Sequence, residues 1–130
     1  MANGSTGVGI ALILFTSGAW LVGLCVGVPR HLVDESWPPH ARFHTIQALL
    51  WVAALNVTIA LLTLGPVRRG ERWALFLLAL LLICGQGSYF IAFAFIPGGA
   101  PPEAYAHIGS AISAALYTVG LILVATPQRA

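Results

Sequence analysis

The sequence predicts an all-α fold: an integral membrane four-helix bundle, up-down-up-down, forming one transmembrane domain over residues 1–130. Three observations predict it. Hydrophobic residues make up 58% of the chain and charged residues only 8%, against about 25% charged in a soluble domain. The mean hydropathy is +0.89. Apolar runs, each reaching the ~20 residues that cross hydrocarbon as a helix, alternate with Pro, Gly and charged residues. A chain of 130 residues cannot bury that much apolar surface within itself, so lipid acts as its solvent. Helices follow because hydrocarbon offers backbone groups no partners.

Span 1 covers about residues 8–28, carries no charge and is ended by Pro29-Arg30. Met1 to Gly7 holds no Lys or Arg, and the apolar stretch after it is too long for a secretory signal, so it is expected to remain as the first span. Residues 29–37 form the long outer loop, with Arg30, His31, Asp34 and Glu35. Span 2 covers 38–64, opened by Pro38-Pro39 and stopped by Gly65-Pro66. The short turn to Arg72 makes spans 2 and 3 antiparallel neighbours. Span 3 covers 73–96 and ends at Pro97-Gly98-Gly99. Span 4, about 103–126, follows Pro101-Pro102 and ends at Thr126-Pro127.

Both termini and the 2–3 turn share one side, which holds Arg68, Arg69, Arg72 and Arg129; the other side holds Arg30 and Arg42. The positive-inside rule then places both termini in the cytoplasm. All six basic residues are arginine, which with the Ala, Gly, Leu and Val richness points to a GC-rich bacterial source and a bacterial inner membrane. The net charge of +2 is small and scattered, which excludes nucleic-acid partners. Cys25 and Cys84 sit in apolar runs without a CxxC, which excludes thiol–disulfide exchange and leaves two small hydrophobes.

Residues 38–44 and 101–107 both read P-P-x-A-x-x-H, 63 positions apart. Each opens the second helix of a pair on the same side, as two parallel repeats about the membrane normal would. Proline in the first turn of any helix gives the same likeness without duplication. In either case His44 and His107 are expected at similar depth.

All four histidines fall on the predicted outer side. On span 2, His40, His44 and Gln47 follow i, i+4, i+7 and share a face, which Trp51 and Thr58 extend. On span 4, Glu103, His107, Ser110 and Tyr117 share another. Span 3 adds Gln86 and Tyr89; span 1 adds Thr16 and Trp20, with Gly23 and Gly27 permitting close helix approach. Polar side chains in a span tend to face the bundle interior, so these stripes are expected to converge on an outward-opening polar cavity. Asn56 lies about 120° from the His44 face and is expected to bond between helices instead.

This constellation points to acid–base isomerisation or cyclisation of a lipophilic small molecule. A neutral His44 or His107 would act as base, with the other imidazole or Glu103 as acid. His40, Arg42, Gln47, Trp51, Gln86, Tyr89, Ser110, Tyr117 and Trp20 would hold the substrate. No cofactor is required. Each residue also has a structural role open to it: Glu103 at a helix dipole, Arg42 snorkelling, and the amides and hydroxyls as interhelical glue. Membrane lipid is the expected partner, and a homodimer is compatible. Three alternatives remain. The chain could be a non-enzymatic binding or accessory subunit. His40, His44, Glu103 and His107 could ligate Zn or Cu. His44 and His107 could hold a haem axially. Export of the kind run by four-span drug exporters, which the architecture resembles, needs an acid within a span; no span here has one in its middle.

The run Pro39-His-Ala-Arg-Phe-His44 resembles a motif of small four-span membrane proteins of no assigned activity. The architecture resembles, more distantly, DoxX-like proteins and the family of sterol isomerases and the sigma-2 receptor. Those isomerases place acids inside the bundle, whereas Glu103 is the only acid near this cavity mouth. The resemblance therefore carries over no catalytic residue, and isomerase activity stands as analogy.

Overall fold

The computed structural model describes residues 4–96 and 104–126, the side chains of 28–31 excepted. The elements are α1 (Gly4–Val33), α2 (Pro39–Leu64), a 3-10 turn (Val67–Arg69), α3 (Arg72–Cys84), α4 (Gln86–Phe95) and α5 (Ala104–Ala125), with no strand among the described residues. They supply four helices long and apolar enough to cross a membrane, with α3 and α4 together forming the third. The chain is a multi-pass membrane protein built as a four-helix bundle.

The helix of span 1 outlasts its predicted end. Pro29 was expected to stop it, but α1 continues for 30 residues to Val33. Proline removes one backbone donor and need not terminate a helix. The outer connection shrinks to residues 34–38. There Asp34 Oδ1 accepts from the Ser36 N–H (2.9 Å) and the Ser36 hydroxyl (2.6 Å), while the Trp37 N–H donates to the Asp34 carbonyl. Asp34 thus closes a turn.

Around the bundle, α1 packs on α2 and α5, and the third span packs on α2 and α5. This leaves α2 diagonal to α5. The buried apolar positions Ile13, Ile59, Leu62, Val67, Ala74, Leu78 and Tyr117 cluster at the end holding the 2–3 turn. At the other end, residues 91–96 of the third span are exposed throughout. The tightest seam joins α1 and α5. A Cβ on Gly9 would meet the Gly120 carbonyl at 2.7 Å, and one on Gly120 would meet the Gly9 carbonyl at 2.9 Å. Small residues at this crossing let the backbones touch. Gly23 and Gly27, expected to serve close approach, have nothing within 4 Å of their Cβ positions; the crossing lies nearer the N-terminus.

Span 3 is broken near its middle. The α3 ladder ends where the Gly85 N–H donates to Leu81 O at 2.8 Å. Gly85 takes φ −80, ψ −82, and α4 restarts at Gln86. A Cβ on Gly85 would sit 2.7 Å from the Leu81 carbonyl oxygen, so this geometry needs glycine. Gly85→Ala is expected to pull the segment into one continuous helix. Slower amide hydrogen exchange at Gln86 to Tyr89 would confirm this, and unchanged exchange would refute it.

In the 2–3 turn, Gly70 (φ 78) supplies the left-handed residue. Glu71 accepts from Arg69 Nε at 2.6 Å and from Trp73 Nε1 at 2.7 Å. These two donors, Arg69 first, hold its carboxyl below the ordinary value of 4.5. Because the folded value is the lower one, the linkage stabilises the turn above the unfolded value and is lost as pH falls through the folded value. Trp73 emission should therefore titrate with a midpoint below 4.5, and Arg69→Ala should raise that midpoint. A midpoint unmoved by this substitution would show that Arg69 does not set it.

Candidate functional site

The polar stripe of α2 faces outward. His40, His44, Gln47 and Thr58 are exposed, and Trp51 is 66% exposed. The stripe was expected to turn into the bundle to find partners, but His40, His44, Gln47 and Thr58 find them along their own helix. His44 Nδ1 lies 3.2 Å from Gln47 Oε1, and His44 Nε2 lies 3.0 Å from His40 Nε2. Gln47 Oε1 can only accept, so a neutral His44 donates from Nδ1 and accepts at Nε2 from His40. Thr58 bonds back to Ala54 O at 2.9 Å. Arg42 is half-buried beside this stripe.

Turning that face outward brings the opposite one in. Asn56, predicted to lie off the His44 face, lines a small cavity at the bundle centre with Ser17, Trp20, Gly85, Gln86 and Tyr117, closed by the apolar Leu55, Ile59 and Leu81. The amide of Asn56 does not bridge helices; it donates to Val52 O of its own helix at 3.0 Å. Tyr117 is buried, and its hydroxyl donates to Leu78 O at 3.3 Å, tying α5 to α3. Trp20, Gln86 and Tyr117 thus meet as lining residues, while His40, His44, Gln47 and Trp51 do not join them.

His107 and Tyr89 form a second polar group. The Tyr89 hydroxyl and His107 Nδ1 are 2.8 Å apart, joining α4 to α5. Phe93 packs edge-on to the imidazole at 5.6 Å between centroids. Tyr89, His107 and Ser110 are each half-buried, so the pair is open on one side. Tyr89 and Gln86 share a face of α4 one turn apart, which puts the pair one turn outward of the central cavity.

His44 and His107 therefore stand on diagonal helices, His44 turned away from the bundle. The structure does not assemble them into one site or an axial haem pair. Glu103 lies outside the described residues, as does the Pro101-Pro102 half of the repeated motif. Among the described residues no group of three His, Cys, Asp or Glu gathers with metal-site spacing. The break at Gly85, which sequence reasoning missed, had a signal in Gly85-Gln-Gly-Ser88, a glycine pair inside an apolar run. Scans of family models, of curated proteins and of solved structures return no match to this chain.

Proposed function

We propose that the chain binds a lipophilic small molecule bearing a hydroxyl or carbonyl group at the outer end of spans 3 and 4. The observation that carries this is the half-buried Tyr89–His107 bond, flanked by Phe93. If the phenol donates to Nδ1, then Nε2–H is a free donor and the phenol oxygen a free acceptor. If Nδ1–H donates, the roles swap. In either tautomer the pair offers one donor and one acceptor, matched by a hydroxyl, and its donor alone serves a carbonyl. The exposed Phe90, Ile91, Tyr105 and Ile108 nearby give the apolar body a surface continuous with lipid. The arginine bias supports cytoplasmic termini, and the lysine-free, Ala-, Gly-, Leu- and Val-rich composition supports a bacterial inner membrane.

A long-chain alcohol carrying a photoreactive diazirine tests this reading. In vesicles, adducts should map to Tyr89–Phe93 and to residues 104–108. Adducts spread evenly over the lipid-facing positions would overturn it.

Acid–base isomerisation is the second reading, favoured by the 2.8 Å path along which a proton can pass between phenol and imidazole. It rests on His107 as base, with Tyr89 returning the proton. Solvent deuterium entering the bound alcohol's carbonyl analogue would support it; binding without exchange would leave a binding protein only.

A further inference from the structure

The bundle centre carries a polar problem that the Tyr89–His107 pair does not solve. Ser17 is 5% exposed and Gln86 6% exposed, and both line the cavity at the Gly85 break. Ser17 Oγ and Gln86 Oε1 have no hydrogen-bond partner. Neighbouring polar groups bond elsewhere: Thr16 donates to Leu12 O and Ile13 O, and an Asn56 N–H donates to Val52 O. A buried polar atom left unpaired in a dry interior is costly, more so where no bulk water can reach it.

The cavity has the size that resolves the problem. It leaves about 20 Å³ for the centres of water-sized molecules, against the roughly 10–15 Å³ that one bound water needs. No acid or base other than the Tyr117 phenol lines it, so nothing there balances a bound ion. It is too small for an organic ligand.

We propose that this cavity is a water-binding site: one water, or two, donates to Gln86 Oε1 and exchanges a hydrogen bond with Ser17 Oγ, completing the broken third span from α1. The water supplies the partners that Gln86 Oε1 and Ser17 Oγ lack within the protein, and it keeps a glutamine tolerable near the middle of a span.

The sign of one substitution tests this. In a dry cavity, Ser17→Ala deletes an unsatisfied hydroxyl, and the melting temperature of the full chain in detergent rises. In a hydrated cavity it deletes a satisfied one, and the melting temperature falls by a few degrees. Gln86→Leu should behave in the same direction. A high-resolution density map supplies the second measurement, with ordered density expected within hydrogen-bond distance of Ser17 Oγ and Gln86 Oε1. A rise in melting temperature for Ser17→Ala, or a map empty at this point, overturns the proposal. Neither result bears on ligand binding at Tyr89 and His107.

Discussion

Gly120→Leu is expected to cause the largest loss of stability of any single substitution in this bundle. A Cβ at Gly120 would already stand 2.9 Å from the Gly9 carbonyl oxygen and 3.3 Å from the Ile13 nitrogen. Both are backbone atoms, which cannot rotate aside, so α1 and α5 must separate along their seam. Overpacking of this kind costs about 3 kcal/mol, roughly 10 °C or more in melting temperature for a chain this small. Gly9→Leu should match it, since its Cβ would meet the Gly120 carbonyl at 2.7 Å. Gly18→Ala and Gly23→Ala are the controls: nothing lies within 4 Å of either Cβ position, and each should stay within about 1 kcal/mol of the parent. Thermal unfolding in detergent reads all four. Equal melting of Gly120→Leu and the parent would mean that the α1–α5 crossing is not close.

The second large effect is expected on ligand binding. His107→Ala removes the imidazole that bonds Tyr89 and packs on Phe93. Affinity for the diazirine alcohol should fall about 30-fold, on the order of 2 kcal/mol. Tyr89→Phe keeps the ring and removes the phenol oxygen, so its loss should be smaller, about 10-fold. His44→Ala and Gln47→Ala should leave affinity unchanged, because those side chains face outward from a helix diagonal to α5. A loss in His44→Ala equal to that in His107→Ala would restore the shared-histidine site and sink this assignment.

The contrast between the two histidines shows how far the sequence could be followed. Spacing alone puts His40, His44 and Gln47 on one face of α2, and the structure keeps them together. Spacing does not say which way that face turns. In water the apolar side of a helix marks the interior, but among lipid tails both sides of α2 are apolar enough. The expectation that polar groups seek the interior failed there because the three side chains bond each other along the helix. It held for Gln86 and Tyr117, which are buried.

Composition and punctuation by themselves determined four spans and their limits to within a few residues, except at Pro29. They also determined that the histidines gather at one end, because apolar length and proline position are properties of the chain. Only the tertiary structure decided that Gly9 and Gly120, rather than Gly23 and Gly27, form the close crossing, that span 3 breaks at Gly85, and that Asn56 rather than His44 faces the centre. Those outcomes depend on which helices touch and where. With no hydrophobic force sorting helix faces inside a membrane, packing between small and polar residues makes that choice.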